Sequence, residues 1–282
     1  MSRADGYWVE LADGVLARRY AELDLTVGLI VGGERALVVD TRGDRAQGAE
    51  LAAAIAAVTT LPLVVVYTHA HFDHCFGTSR FGGAAVYAHP GCAAALADGA
   101  EAQRAEWASY YRERGELRTA HELAASPVIA PSAVVETETT LELGGRPVHL
   151  RHPGRGHTDH DLFVHIPDAS VLFAGDLVEQ GAPPDFTDAH PLSWPAAVER
   201  LLVENPDTVV PGHGDPVAPG FVATQHAELL TVARLCHAVL AGITTDAQAL
   251  TDSPYPAEPT RKALARARME QQGKPSGAAS GR

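Results

Sequence analysis

Cysteine is scarce: three residues, at positions 75, 92 and 236, an odd and widely scattered set. This excludes a disulfide framework and fits a reducing cytoplasm. Positive charge is also short. There are 22 Lys and Arg against 35 Asp and Glu, a formal net charge of −13, and only Lys262 and Lys274 are lysines. A surface this negative repels phosphate backbones and anionic lipid, which argues against nucleic-acid or membrane-surface binding as the main task. Residues 1–15 lack the basic-then-apolar layout of a secretory signal. The uncharged run 51–68 contains Thr59, Thr60 and Pro62 and is largely alanine. It therefore reads as a helix followed by a buried strand, not a membrane span. These absences make the cytoplasm the expected location. No nucleophile-elbow serine, P-loop or dinucleotide fingerprint occurs, so chemistry carried by those motifs has no candidate residues.

What is present suits a folded enzyme-sized chain. The 282 residues are 46% hydrophobic and 20% charged, enough to bury a substantial core. Val27, Leu29 and Val31 alternate as in a strand, Gly32-Gly33 turns the chain, and residues 36–39 are a continuous apolar run. Asp44 can cap a helix, with Gln47 placed as in a capping box. Residues 63–67 read as a fully buried strand and 84–87 as another short strand. Residues 93–125 read as a helical insert interrupted near Gly99 and Gly115. Trp107, Tyr110 and Tyr111 lie at helical spacing there, as a packing face or as a wall over a pocket. Strands are expected over 134–143, 147–152, 161–166, 171–174 and 208–210. Ser193 can cap a helix whose first turn holds Pro195. Helices are expected over 222–270, and the tail 273–282 is expected to be disordered. The alternation of strands and helices favours one α/β domain over 1–272 with helices outside a core of sheet.

The decisive segment is Thr68-His69-Ala70-His71-Phe72-Asp73-His74, directly after an apolar strand. Neutral imidazole and carboxylate are both good metal donors, and His69 and His71, two apart, can point the same way from an extended loop. Three further motifs sit at strand ends: Gly156-His157-Thr158, Gly175-Asp176 and Pro211-Gly212-His213-Gly214. Ligands at the ends of neighbouring strands converge on one edge of a sheet, where α/β enzymes place their sites.

His-x-His-x-Asp-His, Gly-His-Thr, Gly-Asp and Pro-Gly-His-Gly, in this order, resemble the metallo-β-lactamase superfamily. The resemblance implies an αββα sandwich, with a two-metal site on one edge. It implies that His69, His71 and His157 hold a first zinc, that Asp73, His74 and His213 hold a second, and that Asp176 bridges them as in glyoxalase II-like members. Asp40, at a strand end, would support the loop 69–74 by hydrogen bonding. His160 is expected to support the site from three residues beyond His157. His190 and Trp194, on the segment 183–195, are candidate substrate contacts. The remaining histidines match no motif.

Two close dications need anionic compensation, which Asp73, Asp176 and a hydroxide supply; the shared water loses its proton near neutral pH and becomes the nucleophile. Asp73 can also orient that hydroxide, which makes it the catalytic candidate. The expected function is thus a zinc-dependent hydrolase, two Zn(2+) per chain with Fe or Mn as substitutes. Its small-molecule substrate would carry an ester, thioester, lactone or β-lactam-like carbonyl. The alternatives are a mononuclear iron persulfide dioxygenase and, more distantly, a non-enzymatic metal-binding protein. Zinc β-lactamases with a cysteine ligand have Cys where this chain has Asp176, and a carboxylate-binding lysine three residues later, where this chain has Glu179.

Overall fold

The computed structural model describes residues 6–272, so the tail 273–282 lies outside the described residues. The described chain opens with the strands β1 (Tyr7–Ala12), β2 (Val15–Arg19), β3 (Thr26–Val31) and β4 (Ala36–Val39) as an antiparallel meander. Helix α1 (Arg45–Ala56) crosses to β5 (Leu63–Val66), parallel to β4. A single turn, α2 (Phe72–Cys75), leads to β6 (Ala85–Ala88), also parallel. The insert is α3 (Pro90–Glu113) and α4 (Leu117–Ala124), and β7 (Ala133–Val134) then completes a seven-stranded sheet.

The second sheet has five strands, β8 (Glu138–Glu142), β9 (Pro147–Arg151), β10 (Phe163–Ile166), β11 (Val171–Glu179) and β12 (Thr208–His213), with α5 (Trp194–Val203) between the last two. Only its β11–β12 pair is parallel. Helices α6 (Pro219–Leu240), α7 (Asp246–Asp252) and α8 (Ala257–Gln271) close the described chain. Among the described residues no helix is long and apolar enough to cross a membrane.

Three apolar clusters make the layers. Ile30, Leu37, Val39 and Val66 of the first sheet meet Val148, Leu150, Val164 and Phe173 of the second. Outside the first sheet, Leu51, Ile55 and Leu96 pack α1 and α3 onto Val38 and Val65. Outside the second, Val198, Leu201, Leu229 and Leu264 pack α5, α6 and α8 onto Leu172 and Val209. The result is the αββα sandwich. Strands β4 and β5 are continuous Val/Leu/Ala runs because both of their faces are covered.

Several elements depart from the sequence reading. Helix α3 runs straight through Gly99, where the space around the missing side chain is open. An interior glycine costs a helix only about 1 kcal/mol, and buried Leu96 and Ala100 anchor this one. The break falls at Gly115, with φ +77°. The expected strand 134–143 is two strands in different sheets, β7 and β8, joined through buried Val135. Asp44 caps α1 by accepting from the amides of Ala46 and Gln47, but Gln47 reaches back to the amide of Gly43. The Ser193 hydroxyl does not cap α5; it donates to Glu270 at 2.6 Å.

Helix α1 is seated by glycine. A Cβ on Gly48 would lie 2.1 Å from the Gly77 carbonyl oxygen, so the helix rides directly on the turn after α2. Beside it the strand-end turn carries two non-glycine residues at positive φ, Asp40 (63°) and Arg42 (73°). Such backbone persists only where its surroundings over-determine it. Buried Arg42 lies 3.6 Å over the Tyr20 ring and 3.0 Å from Glu50. Gly48→Ala is therefore expected to cost about 2–3 kcal/mol by overpacking, read as a lower urea midpoint at unchanged slope.

Candidate metal centre

Strand β5 delivers Thr68 and His69 to the sheet edge. His71 then sits in extended backbone (φ −72°, ψ 148°) as the residue before α2, so His69 and His71 face the same way. The turn of α2 brings Asp73 and His74 round to a second point. His157 follows β9, Asp176 lies within β11, and His213 ends β12.

The seven residues form two adjoining groups, His69, His71, His157 with Asp176, and Asp73, His74 with His213. In the first, His69 Nε2 and His157 Nε2 each lie 3.0 Å from His71 Nδ1. Asp176 Oδ2 is 3.6 Å from His69 Nε2 and 3.5 Å from His157 Nε2. In the second, Asp73 Oδ2 lies 3.8 Å from His74 Nε2 and 3.4 Å from His213 Nε2. The Asp176 carboxylate touches this group too, 3.2 Å from His74 Nε2 and 3.3 Å from His213 Nε2. It stands between the two groups.

The outward nitrogens show which way the lone pairs point. His213 Nδ1 donates to the Leu23 carbonyl at 2.7 Å, His74 Nδ1 to Asp40 at 2.8 Å and His71 Nε2 to Asp188 at 3.1 Å. The Thr68 hydroxyl gives its proton to Asp40 and so accepts from His69 Nδ1 at 3.0 Å. In these four histidines the inward nitrogen is left as the donor atom a metal needs, held in place by its outer partner; His157 Nδ1 is buried without one. His74 Nε2 and Asp176 Oδ1 are buried with no hydrogen bond. Unpartnered buried donor atoms aimed at a common point, in an imidazole and carboxylate set, fit a divalent metal.

The electrostatics agree. Burial raises the Asp176 carboxyl, but His74, His213 and His69 outweigh it and hold it well below the usual range. Burial lowers His71, yet Asp188, Asp73 and Asp176 lift it to about 9. Burial likewise opposes His213, and Asp176 followed by Asp73 lifts it to about 10. Burial and the neighbouring His74 hold His69 well below its ordinary value. In the apoprotein, then, His71 and His213 carry protons at neutral pH that a metal must displace. Because both values are raised, competition is strongest below them and fades as pH climbs through them. Metal affinity is expected to rise up to about tenfold per pH unit for each displaced proton, between pH 6 and 9 in a chelator-competition titration.

The supporting residues divide. Asp40 accepts from the Thr68 amide and hydroxyl and from His74, tying strand end to metal loop. His160 Nε2 accepts from the Ala70 amide at 3.3 Å and its Nδ1 pairs with Asp159, so it braces the same loop. Trp194 is not a substrate wall: it is fully buried, its indole N–H donates to the Leu177 carbonyl, and its ring packs edge-on against His157. His190 is buried as well, 3.9 Å from Glu270.

Asp188 and Gln103 escaped the sequence reading. Gln103 of α3 brackets His71, accepting from the Phe72 amide at 3.0 Å and donating to the Ala70 carbonyl at 3.1 Å. Trp107, one helical turn on, stacks on Phe72 at 4.4 Å. The insert therefore packs against the metal loop, with Tyr111 buried and Tyr110 partly exposed. Asp188 lies on the flagged segment 183–195, but no spacing rule singles it out.

Comparison with known proteins gives one consistent result. The sequence profile of the Metallo-beta-lactamase superfamily matches residues 23–213. Acyl-coenzyme A thioesterase MBLAC2 of Gallus gallus is 29% identical over 232 residues, which are 76% of this chain and 80% of the relative. Metallo-beta-lactamase type 2 of Bacillus sp. (strain 170) is 28% identical over 155 residues, 53% of this chain and 51% of the relative. A solved metallo-beta-lactamase from Pontibacter korlensis shares the fold at TM-score 0.63 and 23% identity, covering 80% of this chain and 99% of that one. The chain belongs to the metallo-beta-lactamase superfamily and is one of its metallo-hydrolases.

Proposed function

We propose that the protein is a thioesterase acting on acyl-coenzyme A-type thioesters through a centre of two zinc ions. The observation that carries the reading is the Asp176 carboxylate standing between two complete donor groups. Likeness over three quarters of the chain to a relative named as an acyl-coenzyme A thioesterase supports the substrate class. Imidazole and carboxylate donors without thiolate suit zinc, with iron or manganese as substitutes.

When bound, a pair of such ions supplies Lewis acidity toward a carbonyl oxygen and an activated water at neutral pH. The chain's own residues do the rest. His69, His71 and His157 would hold one ion and Asp73, His74 and His213 the other, with the Asp176 carboxylate placed between the two groups. Asp73, with Oδ2 toward His213 and His74, accepts a hydrogen bond from the attacking water and aims it at the thioester carbon. Asp40, Asp188, Thr68 and the Leu23 carbonyl keep His74, His71, His69 and His213 in their donor tautomers, while His157 is held by packing against Trp194. Phe72 and Trp107 border the centre on the insert side. A cytoplasmic enzyme of one catalytic domain is the setting this reading assumes.

The test is thiol release from acyl-coenzyme A substrates of graded chain length by zinc-reconstituted protein. Turnover that disappears with chelator and returns with zinc is expected. A zinc-loaded protein that leaves every thioester intact while opening β-lactams would overturn the substrate assignment.

A further inference from the structure

The family match ends at residue 213, yet the described chain continues through α6, α7 and α8. One stripe of α8, residues 262, 266 and 270, reaches the segment 185–193. Spacing by four places these side chains above one another on one helix face. Lys262 Nζ donates to the Thr187 hydroxyl at 3.0 Å and lies 3.4 Å from Asp185. Glu270 accepts from the Leu192 amide at 3.1 Å and the Ser193 hydroxyl at 2.6 Å. Between them Arg266, 8% exposed, donates from Nη2 to the Asp188 carbonyl at 2.7 Å and from Nε to the Ala189 carbonyl at 2.9 Å.

The residue gripped by Arg266 is the one whose carboxylate accepts the hydrogen bond from His71 Nε2. A rigid guanidinium fork that satisfies two consecutive carbonyls fixes the peptide between them in position and tilt, whereas a lysine offers one point charge on a flexible stem. The direction in which the Asp188 side chain leaves the backbone is set by that peptide. Its other carboxylate oxygen, Oδ1, is buried without a hydrogen bond, so no second side chain aims it.

We propose that α8 is a strap for the metal centre and that Arg266 is a positioning residue. Through the backbone of Asp188 and Ala189 it sets the Asp188 carboxylate against His71, and so tunes the group His69, His71, His157 and Asp176 from outside the family-matched part of the chain. The inference rests on the metal centre proposed above. A staple serving stability alone would lower the melting temperature and leave the metal's surroundings unchanged; a positioning residue alters them in protein that is still folded.

Cobalt(II) separates the two. Full-length wild type, Arg266→Met, Arg266→Lys, Asp188→Asn and the double variant Arg266→Met/Asp188→Asn are loaded with cobalt(II). Visible absorption and affinity by chelator competition are then recorded. Removing partners of ligating histidines typically weakens metal binding about 10- to 100-fold. Arg266→Met is expected near the lower end, about tenfold, with a shifted visible band. Arg266→Lys should fall between it and wild type. Asp188→Asn should reproduce the shift, and the double variant should be no weaker than Asp188→Asn alone, since both act through one contact. Folded Arg266→Met with wild-type spectrum and affinity, or penalties that add in the double variant, would overturn the strap. Should Arg266→Met fail to fold, Arg266→Lys decides: an intermediate shift supports the proposal, and a wild-type spectrum overturns it. Wild type that takes up no cobalt would instead overturn the metal centre itself.

Discussion

Asp73→Ala is expected to lower thioester turnover at least about a thousand-fold, about 4 kcal/mol of transition-state stabilisation, while the protein stays folded. The proposed function gives this carboxylate two tasks, as a ligand beside His74 and His213, which it approaches at 3.8 and 3.4 Å, and as the acceptor that aims the attacking water. The turn that bears it has other anchors. The His74 carbonyl accepts from the Thr41 amide at 2.7 Å, the Gly77 amide donates to the Arg42 carbonyl at 2.8 Å, and Phe72 is stacked under Trp107. Removing a buried anion from among imidazoles leaves their protons less favoured, yet the backbone keeps its hydrogen bonds. Thiol-release kinetics and a melting curve check both halves, and turnover within tenfold of wild type would sink the role given to Asp73.

Gly212→Ala is expected to cost at least about a hundredfold in turnover, about 2.7 kcal/mol, together with about one metal equivalent per chain. Gly212 lies on β12 where it runs beside β11, and a Cβ there would fall 1.9 Å from Asp176 Oδ1 and 2.9 Å from the Gly175 carbonyl carbon. Neither neighbour can yield cheaply: one is backbone, and the other is the carboxylate between the two donor groups. The methyl must therefore push Asp176 out of place or pry the two strands apart, and both routes disturb the proposed metal-binding groups. The measurement is metal content alongside turnover. An alanine variant with full metal and full rate would show that Asp176 does not need its present position.

The reach of the sequence differs from residue to residue. The seven clustered side chains were legible because each stands beside an apolar strand with its own short motif, and strand ends in a layered α/β fold meet at an edge. Asp40 and His160 were legible by position, one at a strand end and one close behind His157; their contacts with Thr68, His74 and the Ala70 amide were not. Asp188 was hidden for a physical reason, since it is placed by Arg266, 78 residues away along the chain. Trp194 misled because an aromatic near a ligand serves equally as a wall toward substrate or as packing behind the ligand, and only burial distinguishes them. The division between β7 and β8 was invisible in the pattern, because Val135 is buried while the chain passes from one sheet to the other. Alternation of apolar residues says which face is covered and nothing about which sheet covers it.

The most direct test of the whole account is metal identity and stoichiometry, by elemental analysis of protein purified with neither added metal nor chelator. Two donor groups joined by Asp176 predict about two zinc per chain, falling to about one or less in Asp176→Ala. About one iron per chain, or no retained metal in folded wild-type protein, would contradict the two-zinc hydrolase.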